Sequence, residues 1–126
     1  MDQKFRSNKN DVIKILKLTK RIINSPTFNY KNDFILIERN NDFEANVYNN
    51  QSTLMLLNYD SSDIIKEILK LEYDDYDITI IDKIGDSVLL YVFKKVIQGY
   101  LLYIKYTIKN NKIIFCVSFH VSKEKE

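Results

Sequence analysis

Three long β-prone runs near the C-terminus, separated by two short turn signals, constrain the fold more than any other sequence feature. The runs cover residues 88–97, 100–109 and 113–121 and are rich in Val, Ile, Phe and Tyr. Gln98-Gly99 separates the first two runs, and Asn110-Asn111 separates the second and third. Gly and Asn tolerate the positive φ angles of two-residue hairpin turns. The sequence therefore predicts a three-stranded antiparallel meander over residues 88–121.

Side chains alternate between the two faces of a strand, so the turns decide which residues share a face. A two-residue first turn pairs Tyr103 with Lys94. A two-residue second turn gives partners in the third strand as follows: Ser118 for Tyr103, Cys116 for Lys105 and His120 for Leu101. One face then collects five polar side chains, which are Lys94, Tyr103, Lys105, Ser118 and His120. The opposite face is the expected core side, with Tyr91, Phe93, Leu102, Ile104, Tyr106, Ile108, Phe115, Val117 and Phe119.

Amphipathic segments earlier in the chain predict helices that cover the apolar face. Between residues 11 and 23, apolar residues recur at helical spacing, and Asn24-Ser25-Pro26 follows as a stop signal. A second helix is expected after Asp60, a good N-cap residue, with a short helix before it over residues 53–57. A short strand is expected over residues 34–37. Helices packed on a C-terminal antiparallel meander make an α+β fold.

Two polar segments between these elements are expected to be loops. Residues 39–51 are rich in Asn and are predicted to contain at most a short strand near Val47. The segment EYDDYD, at residues 72–77, clusters carboxylates but lacks the spacing and the glycine of a calcium-binding EF-hand loop. It is interpreted as a solvated acidic loop, and no metal site is predicted.

Length and cysteine content narrow the class of protein. A chain of 126 residues is typical of one domain, so residues 1–126 are expected to form a single unit. The one cysteine excludes an internal disulfide and a cysteine-based zinc cluster. No apolar run approaches the roughly 18 residues of a membrane span, and the first residues lack the apolar stretch of a signal peptide. The simplest location is the cytoplasm, without membrane association.

Charge is unevenly distributed although the formal net charge is only +2. Residues 1–21 and residues 87–126 each carry seven basic and two acidic side chains, which is +5 for each segment. Residues 60–86 carry three basic and nine acidic side chains, which is −6. Basic segments attract phosphate or acidic proteins, but a solvated surface is the plainest interpretation. Lys14, Lys17 and Arg21 fall on the polar face of the first helix, where a solvated surface is one interpretation and the flank of a nucleic-acid groove is the other.

The polar face of the meander has the side chains that RNA cleavage without a metal requires. That reaction needs a base for the ribose 2′-OH, cations beside the phosphate and an acid for the leaving 5′ oxygen. His120 is the only histidine, and imidazole is a side chain that can serve as acid or base; Lys supplies positive charge, and Tyr103 can donate a hydrogen bond or stack on a base. A purely structural interpretation also fits, because the solvated face of an antiparallel sheet ordinarily carries Lys, Tyr and Ser.

The segment VFKKVIQGYLLYIKYTIKNNKIIFCVSFH resembles the C-terminal half of the MqsR family of toxins, which are small ribonucleases of the RelE-like superfamily. The shared features are a turn at Gly99, a Tyr-Ile-Lys strand at residues 103–105 and a closing Ser-Phe-His at residues 118–120. Upstream, NNQSTLMLLNYDSSDIIKEILKL, followed by Asp75-Tyr76, resembles the preceding part of the family pattern. The resemblance covers residues 50–121 and, more loosely, the first helix.

The resemblance implies a small RelE-like fold and the activity of a metal-independent endoribonuclease in a type II toxin–antitoxin system. Such an enzyme cleaves mRNA, needs no cofactor and is held in check by a cognate antitoxin protein. Matching motif positions imply catalytic roles for Tyr103, Lys105 and His120. Lys94 is a fourth catalytic candidate because it shares their face. The candidate RNA contacts are Lys95 and Ser118.

Two departures from the family pattern favour a different class of function. Asp77-Ile78 stands where some family members have a catalytic lysine, and Val92 stands where some have a strand glutamine. The alternative is a catalytically degenerate RelE-like binding module that inhibits or regulates another protein, such as a phage or defence factor. A small-molecule enzyme is the least supported class, because the sequence has no glycine-rich phosphate loop and no Ser/His/Asp set.

Overall fold

A computed structural model describes residues 3–37, 49–82 and 88–122 of the chain. The fold is α+β, as predicted, with three α-helices and six strands among the described residues. In chain order these are β1 (Gln3–Phe5), α1 (Lys9–Ile23), β2 (Phe34–Leu36), α2 (Asn50–Leu57), α3 (Ser61–Leu69), β3 (Tyr76–Asp82), β4 (Val88–Ile97), β5 (Tyr100–Lys109) and β6 (Ile113–Val121). The three predicted meander strands are therefore confirmed as β4, β5 and β6.

One sheet contains all six strands, in the order β1-β3-β4-β5-β6-β2. Neighbouring strands are antiparallel except β2 and β6, which run parallel. β1 and β3 were not predicted from the sequence. The loop predicted over residues 72–77 is wrong at its end, because Tyr73–Asp75 forms a short 3-10 turn and β3 begins at Tyr76. The β-branched run Ile78-Thr79-Ile80-Ile81 was the available signal for β3.

The helices begin and end at the capping residues that the sequence provides. The Asn8 side chain accepts a hydrogen bond from the backbone N–H of Asp11 and starts α1, which ends at Asn24, before Ser25-Pro26. Asp60 and Asp63 form a reciprocal capping box at the start of α3. The hydroxyl of Ser62 donates to the Asp60 carboxylate and is the main reason that the pKa of Asp60 is lowered.

One face of the sheet, termed the helix face, packs against all three helices and holds the main core. Its largest fully buried side chains are Phe93, Tyr106 and Phe119, and α1 and α3 contribute Val12, Leu16, Ile64 and Ile68. The Tyr106 hydroxyl is satisfied by Thr19 of α1, with 2.8 Å between the two oxygens. Burial is the main cause of the raised pKa of Tyr106. The other side of the sheet, termed the second face, holds a smaller apolar cluster with Ile80, Leu90 and Val92.

The β4–β5 hairpin has the predicted two-residue turn and the predicted register. Ile97 pairs with Tyr100, and Lys94 pairs with Tyr103. Both turn residues adopt positive φ, 52° at Gln98 and 85° at Gly99. Positive φ at both positions is characteristic of a type I′ turn, whose twist matches that of the flanking strands. The local sequence therefore specifies this part of the sheet.

The β5–β6 hairpin differs from the predicted register in two places. Its strand pairing starts at Lys109 and Ile113, so Lys112 is an extra residue and the turn has three residues. A β-bulge follows, because Tyr106 pairs with Cys116 whereas Lys105 pairs with Ser118. Each irregularity alone would invert the faces of the residues beyond it. Together they shift the register by two and restore the predicted faces at the site, although the predicted partners are wrong.

Between the turn and the bulge the faces are inverted, which corrects part of the predicted core. Ile114 and Cys116, rather than Phe115 and Val117, lie in the main core on the helix face. Phe115 is half-buried, with the Lys109 ammonium 3.9 Å from the centre of its ring. Val117 instead packs against the cluster on the second face.

Cys116 is expected to resist alkylation in the folded protein. Its side chain has no exposed surface, and burial raises the pKa of the thiol to about 12. At pH 8 the thiolate fraction is then about 10⁻⁴, whereas an unfolded thiol with a pKa of about 8.5 is readily ionised. Iodoacetamide followed by mass spectrometry should show modification only when guanidinium chloride is present. Rapid modification of the native protein would contradict the placement of Cys116 in the core.

The loop predicted over residues 39–51, with its short strand near Val47, lies outside the described residues except at its end, where α2 begins. Among the described helices, none has the length and apolar character needed to cross a bilayer.

Candidate functional site

Three of the predicted catalytic residues form one row across the second face of the sheet. Tyr103 on β5 pairs directly with Lys94 on β4 and with His120 on β6. Neighbouring strands lie about 4.8 Å apart, so the row spans about 10 Å between the outer backbones. A second row, adjacent along the strands, contains Val92, Lys105 and Ser118. The structure therefore brings together the five polar side chains that alternation predicted for one face.

The centre of the site is a stacked pair of rings, Tyr103 and His120. Their ring centres are 5.3 Å apart and their planes differ by 17°. Tyr103 also packs against the apolar cluster of the second face, so hydrophobic contacts hold the phenol in place. Both side chains are half-buried. Cross-strand pairing and stacking together restrict the orientation of the imidazole beside the phenol.

The tautomer of His120 follows from its hydrogen bond to the backbone. Nδ1 lies 3.0 Å from the carbonyl oxygen of Val121. A carbonyl oxygen only accepts hydrogen bonds, so Nδ1 carries the proton and donates it. The neutral ring therefore has its lone pair at Nε2, which is the atom suited to accept a proton from a substrate.

Lys105 supplies a cation next to the ring pair. Its Nζ lies 5.9 Å from the centre of the Tyr103 ring. Ser118, directly opposite Lys105, is only 6% exposed, which leaves little of its surface for an RNA strand. Lys105 is thus the cation of this row, and Ser118 is its buried cross-strand partner.

Lys94 forms an ion pair with a residue that sequence reasoning treated only as a departure from a family pattern. The Nζ of Lys94 lies 3.3 Å from the Asp77 carboxylate. Asp77 reaches it because a β-bulge interrupts the pairing of β3 and β4 between Tyr76 and Ile78. The carboxylate partly neutralises Lys94 and reduces its attraction for phosphate.

Lys95 lies apart from the other predicted site residues. It precedes Val96 and pairs with Leu102, whose side chain lies in the main core, so Lys95 belongs to the helix face. Its Nζ lies 3.8 Å from the carboxylate of Glu67 on α3, which also accepts a hydrogen bond from Tyr59. Its contact with Glu67 joins the sheet to α3 on the side opposite Tyr103 and His120.

Asn50, which sequence reasoning did not single out, holds the strand that carries His120. Its Oδ1 accepts a hydrogen bond from Phe119 N–H, and its Nδ2 donates to the carbonyl oxygens of Val117 and Ile37. The side-chain amide thus supplies hydrogen bonds of the kind that a neighbouring strand would supply, at the point where β6 bulges and continues past the end of β2. Thr53 continues this contact by accepting a hydrogen bond from Val121 N–H. No local sequence pattern reveals it, because the partners are 67 and 69 residues apart.

Asn50→Ala is expected to destabilise the fold and to disorder the His120 strand. Backbone groups of Val117 and Phe119 would lose their partners, which should cost about 1–3 kcal/mol of unfolding free energy. Denaturant unfolding checks the loss, and the NMR signals of His120 should shift. Met55→Ala is the matched control on the same helix, since Met55 is 82% exposed and its change should stay within about 0.5 kcal/mol. An Asn50 variant as stable as this control would contradict the assigned role.

The arrangement has the elements of acid–base chemistry on a phosphodiester. Nε2 of His120 can take a proton, the Tyr103 hydroxyl can give one, and Lys105 can stabilise negative charge. The described residues contain no group of three His, Cys, Asp or Glu side chains placed to hold a metal ion.

Three comparisons with known proteins gave no match. No protein-family model matches the chain, and neither a curated protein nor a solved structure gives a match.

Proposed function

We propose that this chain is a metal-independent endoribonuclease of the RelE-like type, acting as a toxin that cleaves mRNA in the cytoplasm. The observation that carries the proposal is the stacked pair of Tyr103 and His120, with Lys105 beside it. These three residues also fall on motif positions at which the sequence resembles the MqsR family. The proposed partners are RNA and a cognate antitoxin protein, and no cofactor is required.

In the proposed reaction the ribose 2′-oxygen attacks the adjacent phosphorus. Nε2 of His120 accepts the proton of the 2′-OH as the new O2′–P bond forms. Lys105 stabilises the charge that develops on the phosphate oxygens. The P–O5′ bond breaks, and the leaving oxygen takes a proton from the Tyr103 hydroxyl. The products are a 2′,3′-cyclic phosphate and a free 5′-OH, and exchange with solvent restores both side chains.

A second candidate function has one specific observation in its favour. The ion pair between Asp77 and Lys94 neutralises part of the positive charge that a phosphate would meet on this face. A protein that keeps the scaffold but binds another protein instead of cleaving RNA would tolerate this loss. The two candidates differ in one measurable property, which is whether purified protein cleaves RNA.

Purified protein in excess over a short RNA is expected to cleave it in the presence of EDTA. Cleavage survives because His120, Tyr103 and Lys105 supply all the acid–base and electrostatic groups of the proposed reaction. The 3′ ends of the products, examined by mass spectrometry, should carry a 2′,3′-cyclic phosphate or a 3′-phosphate. Raised salt should weaken RNA binding, since lysine–phosphate contacts are salt-sensitive. Intact RNA under these conditions, together with tight binding of a protein partner, would establish the binding module instead.

A further inference from the structure

A second candidate site lies at the other end of the sheet, in a cavity of about 630 Å³ between α1, the segment after it and the β5–β6 turn. Its walls include the cations Lys14, Lys17, Arg21 and Lys112 and the apolar side chains Leu18 and Phe28. Tyr103 lies six residues before the end of β5, about 20 Å along the strand from this turn. The cavity is therefore separate from the row of Tyr103 and His120. Its volume is typical of a small-molecule site.

The charge of this cavity is strongly positive. Four of its lining residues are cationic, and only Asp33 is acidic. Asp33 is buried, accepts a hydrogen bond from the backbone N–H of Asn29, and lies 3.9 Å from Lys112 Nζ. Within the described part of the chain, Lys14, Lys17 and Arg21 have no carboxylate at ion-pair distance. The cavity thus keeps a net positive charge on exposed side chains.

The electrostatics of α1 account for Arg21 but not for Lys14 and Lys17. Basic residues in the last turn of a helix stabilise its negative end, and Lys20 and Arg21 occupy that turn. The helix dipole acts only within the last turn, so it gives no reason for Lys14 and Lys17. Helical spacing places Lys14, Lys17 and Arg21 on one stripe that borders the cavity. Their convergence on one concave surface points to an anionic ligand.

The floor of the cavity is apolar and provides a surface for a flat ring. Leu18 and Phe28 are half-buried, and Ile22 is 8% exposed. Ser25 and Thr27 add hydroxyls at the rim, which contact each other with 2.9 Å between their oxygens. Cations beside an apolar floor suit a ligand that combines phosphate with an aromatic ring. A plain inorganic anion would leave the floor unused.

We propose that this cavity binds a nucleotide, with the phosphate against Lys14, Lys17 and Arg21 and the base over Phe28 and Leu18. Arginine and lysine make charge-assisted hydrogen bonds to phosphate, and aromatic side chains stack on any base. The nucleotide can be free in solution or part of a single RNA strand. Both sources present the same chemistry to the cavity.

Isothermal titration calorimetry on the full chain tests this proposal, with AMP, inorganic phosphate and a hexa-adenylate RNA as probes. The His120→Ala background keeps the RNA intact, and the result does not depend on whether the chain cleaves RNA. AMP is expected to bind more tightly than inorganic phosphate because the base adds contacts with the floor. Hexa-adenylate binding that is about tenfold tighter than AMP binding, or more, and that the cavity double variant described below weakens, identifies an RNA strand as the source. Comparable affinities identify the free nucleotide.

Matched variants locate the binding. The double variant Lys17→Gln/Arg21→Gln should weaken AMP and RNA binding by about tenfold or more, since each lost contact involves a charged group. Lys20→Gln removes a charge from the same helix outside the cavity and should leave affinity unchanged. Phe28→Leu should weaken AMP binding without affecting phosphate binding. The proposal is overturned if AMP and RNA both fail to bind at millimolar concentration, or if the double variant binds like the control. Tighter binding of an acidic peptide than of either nucleotide probe would also overturn it.

Discussion

Phe93→Ala is expected to lower the free energy of unfolding by about 3–5 kcal/mol, the largest stability effect of any substitution considered. Phe93 has no exposed surface and lies between two other rings. Its ring centre is 5.7 Å from that of Tyr106 and 5.8 Å from that of Tyr76. Truncation removes these contacts and leaves a cavity that the surrounding strands and helices cannot fill. Equilibrium unfolding in denaturant measures the loss.

Phe115→Ala is the matched control for this experiment, because the predicted register places both phenylalanines in the core. In the structure Phe115 lies on the second face, half-buried under Lys109. Its truncation should cost only about 1 kcal/mol, which is typical of a partly exposed side chain with one cation–π contact. Equal losses for the two variants would contradict the three-residue turn at 110–112 and return Phe115 to the core.

His120→Ala is expected to reduce the rate of RNA cleavage by about 100-fold or more, as is usual for loss of a general acid or base. The substitution removes Nε2, the only imidazole lone pair in the chain, from its place beside Tyr103. His120 is one ring of the stacked pair and is only half-buried, so the variant should retain its fold. Single-turnover cleavage with excess protein measures the rate, and circular dichroism verifies the fold.

Variants at the other two site residues and at a distant lysine test whether the loss of cleavage is specific to the site. Tyr103→Phe keeps the ring and its stacking but removes the hydroxyl, so a reduced rate would assign proton donation to that group. Lys105→Ala should reduce the rate through lost phosphate stabilisation. Lys66→Ala, an exposed cation on α3, should leave the rate unchanged. If His120→Ala cleaves as fast as the wild type, His120 is an ordinary polar residue of the sheet.

The ion pair of Asp77 bears on both proposed functions. Its carboxylate holds Lys94 by an ion pair on the same face as Tyr103. A chain that cleaves RNA weakly and a chain that only binds a partner both accommodate this pair. The position of Asp77 depends on the bulge in β3, a strand that the sequence analysis did not predict.

Much of the fold was predictable because it depends on local signals. The limits of β4, β5 and β6 follow from runs of β-prone residues, and the Gln98-Gly99 turn sets the β4–β5 register. The capping residue Asp60 and the stop at Asn24-Ser25-Pro26 define helix ends. The short strand β1 was missed because its three exposed residues carry no pattern that distinguishes them from a loop.

The grouping of the site was also predictable, but its pairing was not. Alternation along β5 and β6 places Tyr103, Lys105, Ser118 and His120 on one face in any register that differs by two residues. The predicted partner of Tyr103 was Ser118, whereas its partner in the structure is His120. A pattern of period two cannot distinguish these registers.

The sequence by itself therefore determined β2, the meander strands β4, β5 and β6, the helices, and which polar residues share a face. The tertiary structure decided the register of β6, through an extra residue at the turn and a bulge at Val117. It also decided what stabilises that bulge, because the amide of Asn50 bonds to backbone groups at Val117 and Phe119. These contacts join parts of the chain that are distant in sequence, and hydrogen bonds of this kind form only when the fold brings the two segments together. The stacking of Tyr103 on His120 depends on the register of β6, in which the two residues are direct partners.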